Sequence, residues 1–139
     1  MDVRVIQARL KKLDDCYKSL ERFRAIPLED YLKSEDTQAI VERKLQLAIQ
    51  SSMDIANYLI AHRQLRVPDD ESGIFASLTE AGLISEELAR RMSGMVSFRN
   101  ILVHEYLEVD HEIVHRHLTQ RLGDFDDFAQ AVVKFLNAL

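Results

Sequence analysis

From Ala39 to His62 the chain runs without a glycine or a proline, and Val41, Leu45, Ala48, Ser52, Ile55 and Leu59 fall on one face of it. Apolar positions three and four apart for that many turns are the period of a helix, not of a strand. The first segment repeats the pattern. Ile6, Leu10, Leu13, Tyr17, Leu20 and Phe23 form one stripe of a helix over roughly residues 3–24. Pro27 and the mixed stretch Leu28 to Asp36 separate the two helices, and Val67-Pro68-Asp69-Asp70 breaks the second, because proline lacks a donor and restricts the residue before it.

The rest follows the same grammar. A short helix from about Gly73 to Ala81 ends at Gly82, a left-handed cap. Ser85 caps the next helix, with Glu86 and Glu87 in its first turn at the positive end of the dipole. Asp110 caps a last helix running to about Asn137, which offers Ile113, Leu118, Leu122, Phe125, Phe128, Ala129, Val132 and Leu136 to a core. Gly94 and Gly123 fall inside helices, where close approach or a local bend is the simplest account. No segment alternates with period two, and no repeat or linker interrupts the pattern. The expectation is an all-α bundle of four long helices plus a short one, forming a single domain over residues 1–139.

Composition agrees and excludes several classes. Of 139 residues 47% are apolar, enough for one core without disulfides. Cys16 is the only cysteine, which rules out an internal disulfide or a four-cysteine zinc site. The start has no signal-peptide pattern and no run approaches a membrane span, so a cytoplasmic protein with no membrane partner is expected. A net charge of −5 has the wrong sign for bulk electrostatic binding of nucleic acid, so any RNA contact must be local.

His111-Glu112-Ile113-Val114-His115 is a literal H-E-x-x-H, the pattern of a catalytic zinc helix. It reads as coincidence. Zinc needs a third ligand, but position 121 is Arg, no glutamate follows Glu112, and no strand is available to hold an extended peptide. No metal site and no cofactor are assigned. His62 and His117 are lone histidines near apolar runs, for which boundary packing is the default. The acidic pairs Asp69-Asp70, Glu86-Glu87 and Asp126-Asp127 point to different helix faces and suit turns, caps and solvent.

What remains is Ser97 to Tyr106, where Arg99, Asn100, His104 and Tyr106 interrupt an apolar helix. At about 100° per residue Arg99 and Tyr106 share one line, while Asn100 and His104 lie one turn apart on an adjacent line. Arg99 and His104 are not directly superposed; the length of the arginine, or a partner's histidine in a two-fold dimer, closes the gap. Taken alone, the pattern is weak, and a satisfied core or interface network is the better account of it.

Arg99-x4-His104-x-Tyr106 resembles the R-x4-H-x-Y signature of HepT-type HEPN proteins. Asp54-Ile55-Ala56-Asn57-Tyr58-Leu59-Ile60 late in the second helix, the Gly82-Leu83-Ile84-Ser85 turn, and Val109-Asp110 before the last helix are similar to that family too. The resemblance spans about residues 1–137. It implies a HEPN bundle that dimerises, or assembles further, so that paired Arg99 and His104 line one cleft and cleave RNA without metal. It also implies a toxin of a type VII toxin–antitoxin pair, neutralised when a nucleotidyltransferase (MNT) antitoxin transfers AMP to Tyr106. Catalysis would rest on Arg99 and His104, with Asn100 and Tyr106 bordering the cleft. The competing reading is a non-catalytic helical module that positions a substrate or nucleotide for a nucleotidyltransferase partner.

Overall fold

The computed structural model describes residues 1–103 and 108–139, and among them every regular element is a helix. They are α1 (Val3–Glu21), α2 (Leu28–Lys33), α3 (Glu35–His62), a 3₁₀ turn (Glu71–Gly73), α4 (Ile74–Glu80), α5 (Glu86–Val103), α6 (His111–Gln120) and α7 (Gly123–Asn137). The helices anticipated from periodicity are present, with the last one divided in two and a further short helix, α2, between the first two.

The helix starts are chemical. Asp2 accepts from the Arg4 amide at 3.0 Å, Ser85 from the Leu88 amide at 3.1 Å, and Asp110 from the Glu112 amide at 3.0 Å. Ser34 accepts from the Thr37 amide at 3.2 Å, which opens α3 at Glu35 rather than at Ala39, with Glu35 and Asp36 against the helix dipole. The end of α3 agrees with the uninterrupted run read from the sequence, but Pro68 is not what stops the helix. It stops at His62, five residues short of Val67, where Gln64 takes a left-handed φ of 54° and the Leu65 amide reaches back to the Ile60 carbonyl at 3.1 Å. Pro68 serves a different contact: a Cβ on Gly73 would lie 2.9 Å from Pro68 Cβ, so glycine lets the 3₁₀ turn close onto the preceding loop. Gly82, with φ 73°, caps α4 as read from the sequence.

Packing is organised around α3, the longest helix. α1 lies along it through Ile6, Leu13, Cys16 and Leu20, and α4, α5, α6 and α7 also contact it. Buried residues from all seven helices form one cluster, in which Phe75 and Phe128 meet edge-on with ring centroids 5.4 Å apart. The break between α6 and α7 follows from that core. α6 buries Val114 and Leu118 and packs on α2 and α3, whereas α7 buries Phe125, Phe128 and Val132 and packs on α1, α3 and α5. One straight helix cannot serve both sets of neighbours. The change of direction falls at Arg121 and Leu122, and Gly123 begins α7 instead of sitting inside a helix. Gly94 is within α5, but a Cβ there would meet nothing within 4 Å, so close helix approach does not explain it. Among the described residues no helix is long and apolar enough to cross a membrane.

A partly buried arginine on the fifth helix

Arg99 belongs to a helix whose other buried positions, Leu88, Ala89, Met92, Met95, Val96 and Phe98, are apolar. Its side chain is only 15% exposed. A guanidinium cannot be desolvated to that extent without acceptors, and the fold supplies two from elsewhere in the chain. Nη1 donates to Gln50 Oε1 on α3 at 3.1 Å, and Nη2 donates to Glu71 Oε2 on the 3₁₀ turn at 2.6 Å. Nε is buried and has no hydrogen-bond partner among the described residues.

Both acceptors are themselves positioned. The Gln50 amide donates Nε2 to Asp54 Oδ1, one turn along α3, at 2.9 Å, which leaves its oxygen to face Arg99. Asp54 Oδ2 in turn lies 3.7 Å from Arg9 Nη1 on α1. The arginine therefore sits at the end of a polar relay crossing α5, α3 and α1. The turn carrying Glu71 is held by Asp70, which accepts from the Ser72 amide at 3.0 Å, and by Ser93 of α5, whose hydroxyl donates to the Ser72 carbonyl at 3.0 Å. Glu71 remains 59% exposed, so its pairing with Arg99 is open to competition from solvent and from another anion.

Of the other residues singled out in the sequence, Asn100 is exposed on α5. His104 and Tyr106 lie outside the described residues. Gln50 and Glu71 escaped the sequence reading because they belong to α3 and to the loop after it, 49 and 28 positions from Arg99. The Gln50–Asp54 pair, spaced for one helical turn, was the single visible signal.

The two histidines of the H-E-x-x-H segment have separate partners. His111 Nδ1 lies 3.1 Å from Glu42 Oε1 on α3, and His115 Nε2 lies 2.7 Å from the Ile26 carbonyl before α2. Both rings pack on the buried Tyr31, at centroid distances of 6.3 and 5.7 Å. They join α6 to the α1–α2 connection and to α3. Burial, with the Glu42 charge added, raises the Tyr31 hydroxyl far above the ordinary tyrosine range. Among the described residues no group of three His, Cys, Asp or Glu is placed to hold a metal ion.

His62 stacks on Tyr58 with ring centroids 4.1 Å apart, and His117 stacks on Phe98 at 3.8 Å. Burial lowers the pKa of His117, and the positive charge of Arg121 lowers it further.

Comparison with known proteins places these features in context. Residues 13–132 match a family model described as ribonuclease HepT-like. The chain is 28% identical over 135 residues to a tRNA nuclease HepT of Aphanizomenon flos-aquae, an alignment covering 97% of this chain and 92% of that protein. It is 33% identical over 88 residues to an mRNA nuclease HepT of Shewanella oneidensis, covering 63% of this chain and 66% of the other. The fold superposes with a TM-score of 0.85 on a tri-AMPylated Shewanella oneidensis HEPN toxin in complex with an MNT antitoxin, at 26% identity, covering 96% of this chain and 99% of that one.

Proposed function

Since the chain belongs to the HepT-like ribonuclease family, we propose that it is the toxin of a toxin–antitoxin pair, a single-domain endoribonuclease over residues 1–139 with Arg99 and His104 as its catalytic residues. The observation that carries this reading is Arg99 itself. A desolvated guanidinium, kept in place by Gln50 and by a carboxylate that solvent can reach, is a preorganised receptor for a phosphodiester.

RNA brings its own nucleophile, so the reaction needs no cofactor and no metal. His104 takes the proton from the 2′-hydroxyl, the 2′-oxygen attacks phosphorus, and Arg99 stabilises the charge gathering on the non-bridging oxygens. The P–O5′ bond breaks as an acid protonates the leaving 5′-oxygen, giving a 2′,3′-cyclic phosphate and a 5′-hydroxyl. A homodimer, or a higher assembly, that brings two copies of His104 to one cleft divides the base and acid roles between them. Asn100 orients His104, and Tyr106 borders the cleft.

Control by an MNT-type nucleotidyltransferase follows the same chemistry. The Tyr106 oxygen attacks the α-phosphorus of ATP, pyrophosphate leaves, and the tyrosine proton passes to solvent. The attached AMP puts a phosphate beside Arg99 that competes with RNA for its charge. A reading in which the chain only positions a nucleotide for its partner predicts no cleavage at all.

The test is RNA cleavage by the purified protein in EDTA, with Arg99→Ala and His104→Ala beside the wild type. Wild-type activity is expected to survive EDTA, and each variant is expected to lose activity by about 100-fold or more with its helix content unchanged. A folded His104→Ala protein that cuts RNA at the wild-type rate rejects the catalytic assignment, and an inert wild type favours the non-catalytic reading.

A further inference from the structure

A cluster of positive charge lies away from Arg99. A cavity of about 520 Å³ between α5 and α6 is lined by Arg90, Arg91, Gly94 and Met95 on one side and by Arg116, His117, Gln120, Arg121 and Asp124 on the other. Arg91 is already compensated: its Nη1 donates to Asp124 Oδ1 at 2.7 Å and to Asp127 Oδ2 at 3.0 Å. Arg90, Arg116 and Arg121 are exposed, and among the described residues none of them makes an ion pair. Three uncompensated guanidiniums therefore face one cavity in a chain whose net charge is −5.

Two features make this a cleft and not merely a charged surface. Gly94 contributes no side chain, and a Cβ there would meet nothing within 4 Å, so the α5 wall stays open where arginines flank it. His117 is fixed by its stack on Phe98, and its Nδ1 is buried with no hydrogen-bond partner among the described residues. Gln120 adds an amide beside the guanidiniums. Forked guanidinium donors suit the oxygens of a phosphodiester.

We propose that the cleft lined by Arg90, Arg116 and Arg121 is a second, non-catalytic phosphate-binding site that holds the backbone of an RNA strand. Arg90 and Arg99 are nine residues apart on α5, roughly 13 Å along its axis and about half a turn around it. One phosphate cannot reach both. The cleft engages a part of the RNA remote from the bond that is cut, and it supplies the local positive field that the acidic chain lacks overall. The ribonuclease reading enters here only in naming the polyanion.

The experiment reads binding alone, on a short single-stranded 2′-O-methyl RNA that cannot be cleaved, so its outcome does not depend on the roles of Arg99 and His104. Fluorescence anisotropy is measured over a salt series for the wild type, for the triple variant Arg90→Ala/Arg116→Ala/Arg121→Ala, and for a control, Lys12→Ala/Lys33→Ala/Arg43→Ala, that removes as many exposed charges elsewhere. The cleft variant is expected to bind about tenfold more weakly or worse. Its slope of log affinity against log salt should fall by about two, because each phosphate contact to a single strand contributes about 0.7. Because all three side chains are exposed, circular dichroism should find the fold intact. Equal losses in the cleft and control variants would mean that charge count and not the cleft governs binding, and would overturn the proposal. So would competition by polyglutamate as effective as that by RNA of the same charge, since the cleft would then take any polyanion.

Discussion

Arg99 Nη2 lies 2.6 Å from Glu71 Oε2, so the guanidinium proposed to meet the scissile phosphate is already engaged by a carboxylate of the chain itself. An incoming phosphate must displace Glu71 or share Arg99 with it. Because Glu71 is 59% exposed and Arg99 only 15%, the carboxylate is the partner free to move. The arginine stays on α5, tied to Gln50.

Glu71→Gln is expected to tighten RNA binding. An ion pair with one exposed partner is worth about 0.2–1 kcal/mol, so KM should fall by up to about fivefold, with the thermal midpoint nearly unchanged. The comparison is KM for wild type and variant at low salt; a rise in KM would show that Glu71 helps to bind RNA instead of competing with it.

Gln50→Leu removes the second acceptor and leaves a partly buried guanidinium short of a partner. The loss should cost about 1–3 kcal/mol of stability by denaturant unfolding, since a desolvated charged donor is expensive to leave unpaired. The greater part of any catalytic effect should appear in kcat and not in KM if Gln50 acts on RNA only through its hydrogen bond to Arg99. Wild-type stability together with wild-type kcat would remove Gln50 from the positioning of Arg99.

Tyr106→Phe keeps the ring and removes the hydroxyl proposed to accept AMP. The variant should retain part of its ribonuclease activity and escape neutralisation. Intact-mass measurement after incubation with the nucleotidyltransferase antitoxin and ATP should show AMP-sized additions on the wild type alone. Equal additions on both proteins would place the modification on another residue.

His117 gives the fold a defined pH dependence. Burial, then the charge of Arg121, lowers its pKa below the ordinary value of 6.5, so the folded state holds the ring neutral where the unfolded chain protonates it. The unfolded state binds more protons in that window, and stability therefore rises with pH. The contribution is complete above pH 6.5 and is lost as pH falls through the lowered value. His117→Phe retains a ring against Phe98 and abolishes the titration. Its unfolding free energy should vary less between neutral pH and about pH 5 than that of the wild type, and an identical slope in the two proteins would exclude His117 as the source.

Much of the architecture was legible in one dimension because helices report themselves locally. A period of 3.6 apolar positions and a capping side chain are properties of a few consecutive residues, and Ser85, Gly82 and Asp110 act in the structure as they read in the sequence. The misses came where a distant element decided. The helix expected from Asp110 to Asn137 divides at Leu122 because its two halves serve different neighbours.

The functional site divides along the same line. The sequence by itself singled out the residues proposed to carry the chemistry, through Arg99-x4-His104-x-Tyr106, because that spacing lies on one segment of chain. Tertiary structure alone decided what surrounds Arg99. Gln50 and Glu71 reach it from other elements, and the arginines of the second cleft face each other across α5 and α6. A guanidinium's surroundings depend on which acceptors the packed helices bring within about 3 Å, and no local periodicity encodes that distance.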